Sequence, residues 1–443
     1  MNIVRQEHVP LPYLRQPACW TTLDNGHQII TIHKPGEVAH LHTVVRTGSV
    51  NETDANTGVS HFLEHLMFKG TERFPAGTFD RLLESIGARV NASTAKDLTQ
   101  YFVTLPKGLD GVYYRLALDL HADMLLHAAL PEEEIGPTFD PANPLVAEKR
   151  ERMVVIEEIK MGHDNPWRQA VSTLAELIYP THPYRREVIG TAEVIAAIPR
   201  EDIVQYYRTW YQPANMVTIA TGDLEAEPLL REIALSFDFH AVQPVLHPVF
   251  APELPPQAPR SKQLTAPLNV AYVLLGYLGP ASDDLRVTIA LDVLSLTLGE
   301  GISSRLQLRL IEQLPDTPFF DAGSTHWTLR DNSNLLAYGI VRPDAALQAR
   351  ELLLEQVNKL HTEPPSATEF EKAITRLETS FAAQAETASG ISYGIADSMA
   401  RLNNPSGYTE YLPTLRSLTR EDIAEAAATY LANERVCMVT VAP

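Results

Sequence analysis

Residues 57–70 read TGVSHFLEHLMFKG, a stretch that combines an apolar helical pattern with three polar side chains that are costly to bury. Its apolar side chains recur at the spacing of one helix face and are Val59, Phe62, Leu63, Leu66 and Met67. Thr57 or Ser60 can cap the start of such a helix, and Gly70 can end it. The pattern therefore predicts a core helix whose polar groups require a functional explanation.

Two histidines and a glutamate are these polar groups. His61 and His65 are four residues apart, so their rings project from one face of the helix and can bind one Zn²⁺. Glu64 lies on a neighbouring face, where its carboxylate can take a proton from a zinc-bound water. The order His-x-x-Glu-His is that of the inverzincin metallopeptidases. The alternative is a helix whose histidines are partly exposed and have no such role.

A site with two histidines needs a third protein ligand, and residues 148–160, EKRERMVVIEEIK, offer the best supply of carboxylates. The apolar residues of this segment predict a second helix. Glu151 and Glu158 are seven residues apart, so they share a face two turns apart. Periodicity alone does not choose among Glu151, Glu157 and Glu158, and a solvated charged helix is the alternative for the whole segment.

Composition and charge restrict the remaining possibilities. The chain has 443 residues, enough for two or three domains, and its formal net charge of −19 argues against a nucleic-acid partner and suits basic or neutral substrates. Its two cysteines, Cys19 and Cys437, cannot form a disulfide framework or a cysteine zinc site. No apolar run is long enough to span a membrane, and the first residues lack the apolar region of a secretory signal.

A proline-rich segment divides the chain almost in half. Residues 241–263, AVQPVLHPVFAPELPPQAPRSKQ, predict an extended, irregular connection because proline fixes φ and lacks an N–H donor. We therefore expect an N-terminal zinc-binding catalytic domain at residues 1–240 and a second domain at residues 264–443.

Internal similarity indicates that the two domains are homologous. Residues 198–222 and 418–442 align without gaps, share the sequence Arg-Glu-Asp-Ile, and each runs from an amphipathic helix into a β-branched strand. Residues 90–111 and 323–346 each lead through a turn into an alternating strand and then a helix. The repeats predict two α+β domains with largely antiparallel sheets, because the strands are too close in sequence for βαβ crossovers.

The whole chain resembles members of the M16 metallopeptidase family, in the branch of mitochondrial processing peptidase and its bacterial relatives. The resemblance rests on motifs that occur in the family's order: Gly48 with Ser49, the run 58–70, LESIG at 83–87, Asn91 and Ala92 with Thr94, and ERMVVIEE at 151–158. It implies Glu158 as the zinc ligand and Glu151 as a supporting carboxylate. The gap between the histidine and glutamate motifs is longer than is usual in the family, and the excess at residues 131–149 indicates a surface insertion.

The resemblance also implies the fold and the mode of substrate binding. It implies a metallohydrolase fold like that of LuxS, with two α+β domains, each an antiparallel sheet flanked by helices. Two such chains usually enclose a chamber that favours peptides and unfolded segments. In the family, substrate joins a sheet edge near the zinc as an extended strand, which implies Asn91, Ala92 and Ser93 as substrate-binding residues.

The C-terminal half departs from the family at two positions. Family members usually carry an arginine and a tyrosine seven residues apart, which bind the substrate backbone and stabilise the oxyanion. Counting from SSRL at 303–306, these positions hold Ile311 and Pro318, whose side chains donate no hydrogen bond. Arg309 lies two places away and would point elsewhere on a helix. We therefore expect a zinc endopeptidase subunit that forms a heterodimer with a homologous partner carrying the Arg/Tyr pair.

Two other functions compete with this hypothesis. Some family members are non-catalytic structural or assembly subunits, but these have typically lost motif residues, whereas the four that carry the chemistry are all present here: His61, Glu64, His65 and Glu158. A zinc enzyme that acts on a small molecule is disfavoured by the large duplicated architecture. Because bacterial members of this branch are often exported, a periplasmic location, with the signal absent from this chain, is favoured over the cytoplasm.

Overall fold

The computed structural model of the chain describes residues 2–140, 150–238 and 245–443. The predicted insertion at 131–149 is described only up to residue 140, and the first four residues of the proline-rich segment also lie outside the described ranges. The chain forms two compact units. Unit 1 contains Met1–Lys160, Glu187–Pro248 and Ala382–Thr409, and unit 2 contains Met161–Arg186, Val249–Phe381 and Glu410–Pro443. Each unit thus draws on both halves of the chain, and the domain boundaries expected from the repeats stay a prediction.

The secondary structure alternates between strands and helices in both units. The strands are β1 (Ile3–Val9), β2 (Ala18–Leu23), β3 (Gln28–His33), β4 (Val38–Val45), β5 (Arg89–Thr94), β6 (Thr99–Pro106), β7 (Met216–Gly222), β8 (Arg260–Thr265), β9 (Ala271–Gly279), β10 (Phe319–Thr328), β11 (Ser333–Val341) and β12 (Cys437–Ala442). The helices are α1 (Val59–Met67), α2 (Thr78–Ser85), α3 (Val112–Leu126), α4 (Glu132–Ile135), α5 (Glu151–His163), α6 (Pro166–Ile178), α7 (Ala192–Ala197), α8 (Arg200–Trp210), α9 (Ala226–Ser236), α10 (Leu285–Gly299), α11 (Ala346–Thr362), α12 (Ala367–Ala385), α13 (Ala388–Leu402), α14 (Ser406–Thr409), α15 (Tyr411–Ser417) and α16 (Arg420–Tyr430).

Unit 1 is built on a seven-stranded sheet with the order β1-β2-β3-β7-β4-β6-β5. Strands β3 and β7 are parallel, and the other neighbouring pairs are antiparallel. Parallel neighbouring strands need a long connection, and the chain between the end of β3 at His33 and the start of β7 at Met216 supplies it. Strand β5, which precedes β6 in a hairpin, lies at one edge of the sheet.

Unit 2 is built on a five-stranded sheet with the order β10-β11-β9-β12-β8. Here β12 and β8 are parallel, and the other neighbouring pairs are antiparallel. The predicted α+β fold with two domains of sheet and flanking helices is confirmed. The two sheets are mixed, however, since each contains one parallel pair.

The repeated segment at the end of each half forms a helix followed by a strand, as predicted. Helix α8 leads to β7 in unit 1, and α16 leads to β12 in unit 2. Thr419 caps α16 in a capping box with Asp422, which stabilises the start of this helix. Across the described ranges, none of the helices has both the length and the apolar character needed to cross a membrane.

Candidate metal centre

Helix α1 presents three polar side chains at the border of the core of unit 1. All of its predicted apolar residues are fully buried, whereas His61 and His65 are 14% and 24% exposed. The ring centroids of the two histidines are 4.8 Å apart, as expected for residues separated by one turn. The helix therefore forms where the pattern predicted it and holds both rings on one side.

The start of α1 is held in a way that the sequence did not predict. Its N-cap is Gly58, and neither Thr57 nor Ser60 caps it through a side chain. Instead, the buried carboxylate of Glu52 accepts hydrogen bonds from the backbone N–H groups of Gly58 and Ser60, at 2.7 and 2.9 Å. Gly58 has a φ of 89°, and a Cβ there would lie 2.5 Å from the carbonyl oxygen of Ile189. Only glycine fits this position without strain.

Helix α5 holds its three carboxylates in three different environments. Glu158 Oε2 lies 3.8 Å from His61 Nε2 and 3.7 Å from His65 Nε2. Glu151 Oε2 lies 3.2 Å from the other ring nitrogen of His65, Nδ1. Glu157 is 58% exposed on the outer side of the helix. Among the alternatives that periodicity left open, Glu158 is the carboxylate that lies with both histidines.

The ligand atoms of His61, His65 and Glu158 all lie within 4.8 Å of one another. Atoms about 2.0–2.2 Å from one tetrahedral Zn²⁺ are roughly 3.4 Å apart, and the separations of 3.7 and 3.8 Å from Glu158 are close to this. Two imidazole nitrogens and one carboxylate, with a fourth position left for water, are a donor set of catalytic zinc sites. The residues present therefore fit zinc.

A charged network surrounds His65. Glu151 contacts both His65 and Lys69, and its Oε1 lies 2.6 Å from Lys69 Nζ. Burial raises the pKa of Glu151, but the hydrogen bonds from His65 and Lys69 outweigh burial and hold that pKa below its ordinary value. Burial lowers the pKa of His65, but its hydrogen bond with Glu151 and the charges of Glu64, Glu151 and Glu158 together raise it. The concentration of negative charge favours a bound cation.

Glu64 is held from the neighbouring strand. Its Oε2 accepts a hydrogen bond of 2.7 Å from the hydroxyl of Thr94, at the end of β5. Burial raises the pKa of Glu64, and the bond from Thr94 opposes this rise only in part. The hydroxyls of Tyr101 and Tyr211 are 2.7 Å apart, and burial raises the pKa of both. A carboxylate with one oxygen held and a raised pKa suits proton transfer.

The residues predicted to bind substrate lie on β5, at the edge of the sheet. Ala92 packs against the core of unit 1 and pairs with Tyr101 of β6. Asn91 and Ser93 point to the opposite face, where Gln100 donates a hydrogen bond of 2.8 Å to Ser93. Within the described residues β5 pairs with a strand on one side only, so backbone donors and acceptors line its other side.

The positions that carry arginine and tyrosine in the family lie in unit 2. Ile311 belongs to a short π-helix, and Pro318 directly precedes β10. Arg309 donates a hydrogen bond of 2.9 Å to Glu363, and Arg305 is 5% exposed in an ion pair. The two arginines nearest to the expected position are therefore held by partners within unit 2.

Four residues support the metal centre through contacts that the sequence did not predict. They are Glu52, Lys69, Thr94 and Arg152. Arg152 is buried, donates to the backbone carbonyl of Ile198 at 3.0 Å, and lies over the ring of Phe62, 5.4 Å from its centroid. Lys69 and Thr94 stand inside motifs that the sequence analysis singled out, but their partners lie far away along the chain.

Two family models match the chain. The model described as Insulinase (Peptidase family M16) matches residues 28–192, which include all the residues of the candidate metal centre. The model described as Peptidase M16 inactive domain matches residues 197–377. Together these two ranges cover well over half of the chain.

Proteins similar to this chain include named proteases. The zinc protease PqqE of Helicobacter pylori is 28% identical over 433 residues, which cover 95% of this chain and 92% of that protein. The crystal structure of a protease from Helicobacter pylori has a TM-score of 0.85 and 26% identity, and covers 96% of this chain and 99% of its own. The first half of the periplasmic protease PqqL from Escherichia coli shares the fold, with a TM-score of 0.77, 22% identity and coverage of 98% and 93%.

Proposed function

This chain belongs to the M16 family of peptidases, and we propose that it is the zinc-binding subunit of an endopeptidase that hydrolyses peptides or unfolded polypeptide segments. The observation that carries the proposal is the convergence of ligand atoms from His61, His65 and Glu158 within 4.8 Å of one another. Glu64 stands on α1 with the two histidines, and one of its oxygens is held by Thr94. This arrangement combines a site for a divalent cation with a base.

In the proposed mechanism His61, His65 and Glu158 would hold the zinc. When bound, zinc supplies a Lewis acid that lowers the pKa of water toward neutrality and polarises the scissile carbonyl. Glu64 accepts the proton of the attacking water, while the hydroxyl of Thr94 holds its Oε2 and orients the carboxylate. Glu64 then returns this proton to the leaving amine.

The substrate is proposed to bind as an additional strand along the free side of β5. Backbone groups of the segment Asn91–Ser93 pair with the peptide, and side chains that alternate between the two faces select its residues. Such recognition requires an extended peptide, which favours unfolded segments over folded proteins. The net charge of −19 favours basic peptides over acidic ones.

We also propose that a homologous subunit completes the active site. Ile311 and Pro318 stand where the family usually has an arginine and a tyrosine, and Arg309 is bound to Glu363 within unit 2. The oxyanion therefore needs donors from a second chain, and the loss of one such donor costs about a hundredfold or more in rate. Because one related protein is described as periplasmic, we propose a periplasmic location for this chain as well.

The test is a Glu64→Gln variant, measured with zinc content as a second readout. The wild-type chain is co-expressed with homologous subunits from the same genome and assayed on a library of fluorogenic peptides. We expect hydrolysis to fall about 10²–10⁴-fold in the variant, with one zinc per chain retained. Glu157→Gln, on the exposed side of α5, is the matched control and should leave both unchanged.

Three outcomes of this test would contradict the proposal. Normal hydrolysis by Glu64→Gln would exclude Glu64 as the base. A wild-type chain without bound zinc would exclude the metal centre. Full activity of the wild-type chain when it is shown to be free of other subunits would exclude the need for a partner.

A further inference from the structure

Lys69 lies two residues beyond the end of α1 and forms the closest ion pair around the candidate metal centre. Its ammonium nitrogen is 2.6 Å from Glu151 Oε1, and the side chains of Lys69 and Glu151 are only 26% and 15% exposed. The other oxygen of the same carboxylate, Oε2, is 3.2 Å from His65 Nδ1. Glu151 thus joins Lys69 to the ring of a proposed zinc ligand.

This chain of contacts determines how the ring of His65 is oriented. When Nδ1 donates its hydrogen to Glu151, the lone pair of the ring is on Nε2, the atom that lies 3.7 Å from Glu158 Oε2. A carboxylate behind a ligating histidine fixes both the tautomer and the orientation of the ring. A glutamate carboxylate on a flexible side chain with no second partner would do so less firmly.

The same ion pair joins the two helices that supply the ligands. Lys69 follows the C-terminal end of α1, and Glu151 is the first residue of α5. Glu158, two turns further along α5, is therefore brought toward α1 by this contact. Phe62 and Arg152 form a second contact between the same helices, but they lie on the buried side.

We infer that Lys69 is a positioning residue for the metal centre, which acts through Glu151 on the ring of His65. This inference rests on the proposed zinc site. An ordinary exposed ion pair contributes little to stability, because solvent screens its charges. The pair Lys69–Glu151 differs because it is largely buried and shares its carboxylate with the imidazole.

The experiment measures zinc affinity of the full-length chain, without any assay of hydrolysis. Zinc is removed by a chelator, and its dissociation constant is determined by competition with a chromophoric chelator for the wild type, Lys69→Met and Lys69→Arg. We expect Lys69→Met to bind zinc about 10–100-fold more weakly and Lys69→Arg to recover most of the loss. The visible spectrum of the cobalt-substituted chain should change in Lys69→Met, because the orientation of a ligating ring changes.

Lys160→Met is the matched control. Lys160 forms an ion pair of 2.8 Å with Glu157 on the same helix, but both side chains are more than half exposed. This variant should bind zinc and cobalt as the wild type does. Thermal unfolding of the metal-free variants separates an effect on the metal centre from a loss of folding, and we expect both Met variants to unfold within a few degrees of the wild type.

A second comparison tests whether Lys69 acts through Glu151. Glu151→Gln should weaken zinc binding, and adding Lys69→Met to it should weaken binding little further, because the intermediate group is already changed. Full additivity of the two effects would overturn the inference, and so would wild-type zinc affinity in Lys69→Met. If the wild-type chain itself binds no zinc, the proposed function fails together with the inference.

Discussion

Units 1 and 2 both place a helix against an edge hairpin, but the polar groups between helix and hairpin are connected differently. In unit 1 helix α1 lies on β5 and β6, and in unit 2 helix α10 lies beside β10 and β11. The carboxylate of Asp292, on α10, accepts one hydrogen bond from His326 at 2.7 Å and another from Tyr411 at 3.3 Å. Both of its oxygens therefore have a protein partner.

The two histidines of α1 and Glu158 in unit 1 have a different geometry. His61 Nε2 and His65 Nε2 lie 3.8 and 3.7 Å from Glu158 Oε2, too far for hydrogen bonds. These three atoms converge at separations that suit one shared cation, whereas the two oxygens of Asp292 accept hydrogen bonds within unit 2. A histidine and a carboxylate near each other are thus not enough for a metal site, since at least three ligand atoms must converge on one position.

The strongest test of this comparison is to remove one histidine from each unit. We expect His65→Ala to reduce bound zinc from one per chain to nearly none, because two ligands and an open site bind too weakly. His326→Ala should keep one zinc per chain and lower the free energy of unfolding by about 1–3 kcal/mol, because Asp292 loses a buried partner. Metal analysis after dialysis and thermal unfolding measure the two effects.

The control for this pair of variants is His326→Asn, whose amide nitrogen can still donate a hydrogen bond to Asp292 and should recover part of the lost stability. Release of zinc from both histidine variants would contradict the comparison, because it would show that the polar groups of unit 2 also serve the metal.

The second largest expected effect is a loss of stability of unit 1 at low pH. Burial lowers the pKa of His27, His42 and His121 to about 3 and that of His40 to about 4, and all four lie in unit 1. Since the unfolded chain binds these protons near pH 6.5 and the folded chain does not, stability is lost as pH falls from 6.5 toward 3. The loss is roughly 1 kcal/mol per pH unit for each histidine.

Hydrogen exchange of the metal-free chain at a series of pH values measures this difference. Strand β4 carries His40 and His42, helix α3 carries His121, and β3 begins directly after His27. We expect amides of these three elements to lose protection before those of β9 and β11 in unit 2. Replacing His121 by Gln should move the onset to lower pH. Loss of protection first in unit 2 would show that other groups control acid unfolding.

The smallest expected effect concerns the hydroxyl that holds Glu64. Thr94→Val removes this donor with little change in volume, and we expect kcat to fall roughly tenfold with a smaller change in KM, because the base is less well oriented. Thr94→Ser, which retains a hydroxyl, should recover most of the activity. Steady-state kinetics of the assembled enzyme measure both, and equal activity of the valine variant would show that Glu64 needs no such support.

Much of the fold could be predicted because its signals are local or repeated. The apolar spacing in residues 57–70 predicted α1, and the i, i+4 relation predicted that His61 and His65 share a face. The two copies of the helix–strand segment predicted the two sheet-and-helix domains. The parallel pairs β3–β7 and β12–β8 were not predicted, because strands that are distant in sequence leave no local pattern of their pairing.

The environments of single carboxylates required the tertiary structure. Glu151, Glu157 and Glu158 stand on one helix and look alike in sequence, yet one contacts Lys69, one faces solvent and one lies beside both histidines. Glu52 likewise stabilises the start of α1 from outside the helix. Each of these differences depends on which distant element packs nearby.

The amino-acid sequence by itself therefore determined the class of fold, the helix with its pair of histidines, and the kind of chemistry that their spacing allows. These features depend on backbone geometry within one or two helical turns. Periodicity left the third carboxylate open and the family resemblance implied Glu158, which the tertiary structure places beside both rings. The tertiary structure alone decided that Lys69, Thr94 and Glu52 support the site. Contacts of this kind form only when separate elements pack together, so no local pattern specifies them.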